Sequence, residues 1–158
     1  MKFSILNILF VFCILTANAN VISAENITKQ QTSQVYNYTG SYTGKASPKK
    51  MNGKDMGIAS IIPCECAFNI DTSHVLSGAL VVPVVKHSFT IATLDAITGV
   101  GTYPIFGQFI KKGHDNGDPL TGEIVITKLS DNMLEFKCTA YLNGEPSSES
   151  IFTFSGTR

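Results

Sequence analysis

An all-β, all-antiparallel domain of about eight strands, a single meander closing as a barrel in preference to a two-sheet sandwich, is the fold class that three observations predict. Apolar and polar residues alternate with a period of two through the last forty or so residues. Asn-Gly pairs at 52–53 and 143–144 mark tight turns. Tyr, Phe, Thr, Ser and Gly are plentiful while Trp is absent, a composition suited to strands.

Residues 1–24 have the form of a secretory signal peptide, with Lys2, an apolar run over residues 3–15, and small-residue cleavage sites after Ala19 or Ala24. The run is shorter than the ~20 apolar residues that a membrane span needs, and no later stretch is longer, so no span is expected in the mature form. Polar, aperiodic residues 25–34 read as a flexible mature N-terminus, which leaves 35–158 as one barrel domain.

The domain opens on Tyr36, Tyr38 and Tyr42, which have one parity along a strand containing Gly40 and Gly44. Three tyrosines on a face could stack on a flat ligand, or they could simply line the core. Lys45, Lys49, Lys50 and Lys54 surround Pro48 and Asn52-Gly53, the pattern of a basic, solvated hairpin tip. Two strand-like segments follow, 57–62 and 64–71, broken by Pro63, which cannot donate to a ladder. Residues 75–85 form a nearly continuous apolar run, read either as a segment covered on both faces or as part of a cavity wall. Phe89 and Ile91 share one side of the next strand, 97–103 reads as a glycine-relieved strand, and 104–110 adds Ile105, Phe106 and Phe109. Residues 111–119 are a loop rich in Lys, Asp, Asn and Gly.

The final stretch reads as three strands. Glu123 to Thr127 is β-branched almost throughout, and Leu134, Phe136, Cys138 and Ala140 then alternate with Glu135, Lys137, Thr139 and Tyr141. After Asn143-Gly144, Phe152 and Phe154 point to one face of the last strand.

Charge and motifs exclude several functions. Twelve basic and twelve acidic residues cancel, giving no global field for nucleic acid. Gly99-Val100-Gly101 lacks the third glycine and helix of a dinucleotide site, and no cofactor is called for. His74, His87 and His114 lack metal-ligand spacing, and Asp115, Asn116 and Asp118 lack the bidentate Glu of a calcium loop, so neither a metal nor a catalytic residue is assigned. Cys64, Cys66 and Cys138 remain after signal removal. In an oxidising compartment, Cys138 could bridge to one of the other two, since both sets look inward; three buried thiols are the alternative. Asn26-Ile27-Thr28 and Asn37-Tyr38-Thr39 fit the N-glycosylation acceptor pattern.

Tyr38-Thr39-Gly40-Ser41-Tyr42-Thr43-Gly44, the later Asn52-Gly53-Lys54, and Leu120-Thr121-Gly122-Glu123-Ile124-Val125-Ile126 together resemble the calycin-like barrel domains of exported bacterial proteins. That resemblance implies a short meandering barrel whose interior takes an apolar ligand; it transfers no site residue. The sequence therefore predicts a secreted or periplasmic binding protein, not an enzyme. Its partner is either a small apolar ligand or another protein engaged through the loops. Candidate ligand-facing residues are Tyr36, Tyr38, Tyr42, Phe89, Phe136, Phe152 and Phe154, joined by Phe106 as a test of whether the interior is filled or hollow.

Overall fold

A computed structural model describes residues 37–158, which form strands β1 (Gly40–Met51), β2 (Lys54–Asp55), β3 (Cys64–Ile70), β4 (Leu76–Val82), β5 (His87–Thr93), β6 (Gly101–Ile110), β7 (Asp118–Ser130), β8 (Met133–Leu142) and β9 (Ser150–Thr157). From β3 onward each strand pairs antiparallel with the next, β1 pairs with β3, and β9 returns to β1 between Thr43–Thr157 and Lys50–Ile151. Eight strands thus close into an up-and-down barrel, with β2 a two-residue spur on β1. The signal peptide, the flexible segment 25–34, Asn26 and Tyr36 lie outside the described residues.

Two turns follow their chemistry closely. Asn52 and Gly53 take φ of 46° and 77°, and Asn143 and Gly144 take 51° and 73°, the left-handed values that a tight hairpin demands and that Asn and Gly tolerate. The first hairpin is longer than the lysines suggest. Lys45, Lys49 and Lys50 belong to β1, and only Asn52-Gly53 is the tip. Pro48 is accepted inside β1 because a register shift between Pro48 and Lys50 breaks the ladder beside it. That bulge also switches the inward parity from Ala46 and Pro48 to Met51.

Four segments depart from the sequence reading. Gly57–Ile61 is a 3-10 helix instead of a strand, entered through Gly57 at φ 53° and followed by Pro63. The apolar run 75–85 is neither covered on both faces nor a cavity wall throughout: β4 alternates Leu76, Leu80 and Val82 inward with Val81 53% exposed, and a turn follows. Residues 97–100 precede β6 as a loop. Phe106 projects outward, 51% exposed, because Tyr103, Ile105 and Phe109 hold the inward parity of β6.

The interior is filled. Phe68 meets Phe136 and Phe154 edge-on at centroid separations of 5.0 and 4.8 Å, and Phe136 and Phe154 lie 5.1 Å apart. Phe152 links this trio to Phe89 and Phe109, so six rings run along the barrel. These separations and tilts are the ones aromatic quadrupoles favour.

One end of the barrel is closed. Ile97, in the loop between β5 and β6, is fully buried, and its N–H donates to the His74 carbonyl at 2.8 Å. Tyr103 fixes the same loop: its hydroxyl donates to the Gly99 carbonyl at 2.8 Å and accepts the Thr98 and Gly99 N–H groups at 3.1 Å. Nearby, the Tyr42 hydroxyl donates to the Tyr38 carbonyl at 2.8 Å, and the Arg158 guanidinium donates to the carbonyls of Asn37 and Thr39 at 3.0 and 2.5 Å. Burial pushes the Tyr42 hydroxyl above its ordinary pKa, partly opposed by Arg158.

Candidate functional site

Antiparallel order sends alternate connections to the opposite end, which gathers the β1–β2 turn, the 3-10 helix, the β4–β5 turn, the β6–β7 loop and the β8–β9 loop. Between the first four lies a recess of about 470 Å³, within the size range of small-molecule sites. Met51 and Phe109, 7% and 3% exposed, form its floor directly above the aromatic column. Met56 and Ala59 from the helix side face Val84 and Val85 from the turn. Asn52, Lys54, Asp55, His87 and Lys111 supply the polar part of the lining.

Each wall is held by its own contacts. The Met56 N–H donates to the Lys49 carbonyl at 3.0 Å, tying the helix entry to β1, and the Gly53 N–H donates to the Glu149 carbonyl at 2.9 Å. Lys50 and Glu149 form an ion pair at 2.9 Å, and Lys111 lies 3.4 Å from Asp118. His87 stands edge-on to Phe109 at 5.2 Å, and its Nδ1 accepts the Lys112 N–H at 3.1 Å. An accepting Nδ1 puts the proton of the neutral ring on Nε2.

The barrel wall is parted beside this recess. β3 and β4 pair only from Ala67–Ala79 to Ile70–Leu76, so Cys64–Cys66 and Leu80–Val82 continue toward the mouth without pairing to one another. Met is the residue best able to adjust its shape to an incoming apolar group, and two of them line the recess next to this split.

The aromatic candidates fall elsewhere. Tyr42, Phe89, Phe136, Phe152 and Phe154 are no more than 2% exposed and pack on one another or on other core residues; Tyr38 is half-buried against the same core. Phe89 is joined to the recess floor through Phe109, whose ring centroid lies 4.9 Å away. What sequence reasoning missed are Met51 and Met56; Val84 and Val85 end the apolar run 75–85, and at that end the reading as part of a cavity wall fits their place in the lining. The available signal was the crowding of Asn-Gly, Pro and Lys around 45–54 and the loop at 111–119, which the fold brings to one rim.

The cysteines all point inward, yet all three are free thiols. The bridge from Cys138 to Cys64 or Cys66 is not formed because β8 and β3 are separated by β9 and β1. Three strand spacings of about 4.8 Å far exceed the Cα separation a disulfide spans, roughly 4.4–6.8 Å. Burial pushes the Cys66 thiol up to about 12 and raises those of Cys64 and Cys138 as well. At mildly alkaline pH all three are therefore protonated and poor nucleophiles. Iodoacetamide should leave them unmodified in the native protein and alkylate all three after denaturation in guanidinium, as read by peptide mass mapping. Rapid native labelling of Cys66 would contradict this.

The histidines do not converge: His74 sits at the closed end, while His87 and His114 belong to the open one. Among the described residues no group of three His, Cys, Asp or Glu side chains is placed to hold a metal ion, and Asp118 is engaged by Lys111. Asn37 of the second glycosylation pattern is exposed. Comparison of the chain with protein-family models, with curated proteins and with solved structures finds no match.

Proposed function

We propose that this chain is an exported binding protein that holds a small apolar ligand at the mouth of its barrel. The observation that carries this reading is the open recess of about 470 Å³ floored by Met51 and Phe109, above an interior already filled with aromatic rings and opposite an end plugged by Ile97. The apolar part of its lining is thioether and aliphatic carbon from Met51, Met56, Ala59, Val84 and Val85, which favours removing apolar surface from water. Export rests on the form of residues 1–24, and a secreted or periplasmic setting follows from it. A meandering barrel with a ligand-sized recess also suits the resemblance to calycin-like domains.

The test is native mass spectrometry of the chain isolated from its host, followed by titration with an apolar fluorescent probe. A small molecule released on denaturation is expected. Val84→Asp puts a carboxylate on the recess wall at a position 56% exposed. It should weaken probe binding about tenfold, since a desolvated charge costs more than 1.4 kcal/mol, and should leave the thermal midpoint nearly unchanged. Equal affinity of parent and variant would rule out this recess as the ligand site.

A further inference from the structure

The rim of the recess carries apolar side chains that the ligand site does not use. Ile58 and Ile61 are 81% and 75% exposed, and Ile62 is 47% exposed. A 3-10 helix has three residues per turn, so Ile58 and Ile61 eclipse one another and project on the same side. The helix is fixed behind them: Ala59 and Ile62 N–H groups donate to the Met56 and Ala59 carbonyls at 3.0 and 3.3 Å, and the Ser60 hydroxyl donates to the Gly57 carbonyl at 2.7 Å. Two isoleucines held outward on a braced turn form a wedge.

Cations surround that wedge. Among the described residues, six of the ten Lys and Arg side chains lie at the mouth, namely Lys49, Lys50, Lys54, Lys86, Lys111 and Lys112. Five acids lie there too, but Asp118 and Glu149 are taken up by Lys111 and Lys50, leaving four lysines against Asp55, Asp115 and Glu145. The closed end has apolar side chains of its own, Leu94 and Val100, but is flanked by Asp71, Asp95 and Asp131 against Arg158. Among the described residues, only the mouth joins exposed aliphatic side chains to an excess of positive charge, of one unit.

We infer that the mouth end docks on an anionic lipid bilayer, with Ile58 and Ile61 entering the acyl boundary and the exposed lysines at the level of the phosphates. Each part does what that interface requires: aliphatic carbon leaves water, and each lysine near an anionic surface is drawn to its phosphates. A second copy of the chain is a poorer occupant. Two isoleucines on a narrow turn cover little of the roughly 1,200–2,000 Å² that a stable interface buries, and a two-fold axis would bring like lysines together. Docked in this way, the recess and the split between β3 and β4 face the bilayer.

The experiment is vesicle flotation of the chain as isolated after export, using phosphatidylcholine alone and phosphatidylcholine mixed with phosphatidylglycerol. The parent should float with the anionic vesicles and lose binding as salt rises. Ile58→Asp/Ile61→Asp and Lys86→Glu/Lys112→Glu should each lower the partition about tenfold or more, with thermal midpoints unchanged because these side chains are exposed. Absence of parent binding overturns the inference. So does unchanged partition of the isoleucine variant, which retains the same N-terminus and would reveal attachment through that segment. A dimer of the parent that Ile58→Asp/Ile61→Asp dissolves, seen by light scattering, assigns the ridge to a second copy instead. None of these outcomes bears on probe binding in the recess, which Val84→Asp tests separately.

Discussion

Phe136→Ala is expected to lower the stability of the barrel by about 3–5 kcal/mol, the range for removing a buried aromatic ring. Phe136 is 2% exposed and touches three other rings, Phe152 and Phe154 from the neighbouring strand β9 and Phe68 from β3, which does not pair with β8. Those rings are anchored on β3 and β9, whose backbones are held by ladders on both edges, so the wall cannot collapse to fill the space. The residual cavity adds its own cost to the lost transfer energy. Because single domains are stable by roughly 5–15 kcal/mol, the variant should be near the edge of folding. Urea unfolding followed by circular dichroism checks this, with Phe106→Ala as comparison. Phe106 faces solvent, so its loss should change stability by no more than about 0.5 kcal/mol. Similar midpoints for the two variants would show that the aromatic column is not the core.

Gly107→Val should be more damaging still. A Cβ at position 107 would sit 1.8 Å from the Thr90 carbonyl oxygen and 3.0 Å from the Ile91 Cα, both backbone atoms of β5. A flexible side chain could rotate away from such a clash; a strand backbone in a closed barrel cannot. Relief requires opening the β5–β6 ladder at Thr90–Gln108 and Ile91–Gly107, which exceeds the roughly 1–3 kcal/mol of ordinary overpacking. The expected result is loss of soluble folded protein, measured by yield and by the far-ultraviolet spectrum. Gly101→Ala is the matched control, because its Cβ meets only Tyr103 ring atoms at 3.6 Å or more, and it should fold normally.

Strand identity was legible wherever one face is buried and the other is wet. Leu134, Phe136, Cys138 and Ala140 declare themselves by parity, and burial at 2% or less follows. The Asn-Gly turns were equally readable because their φ values restrict which residues fit. Segment 57–62 misleads because Ile, Ala and Ser suit either a strand or a short helix, and the choice depends on whether a neighbouring strand is available to pair. Position 97 misleads for a different reason: Ile97 is buried by a loop crossing the barrel end, a contact that no local periodicity encodes. The recess was the least readable part. Its lining comes from four separate connections, and only the folded sheet brings Met56 and Val84 to one recess. The aromatic residues that draw the eye in the sequence serve the core.

The pairing of β1 with β9 has a consequence for how the chain reaches its fold. Thr43 and Thr157, partners in that seam, are 114 residues apart, whereas the pairings from β3 to β9 join neighbours in sequence. The hairpins can form locally, but the seam must overcome the entropy of closing nearly the whole domain into one loop. Non-local pairing of this kind places folding in the slow range, milliseconds to seconds. Until it forms, β1 and β9 each present unpaired N–H and C=O groups that another chain can extend. The lifetime of that open sheet, more than the stability finally gained, then sets how concentrated the refolding protein can be before copies pair with one another.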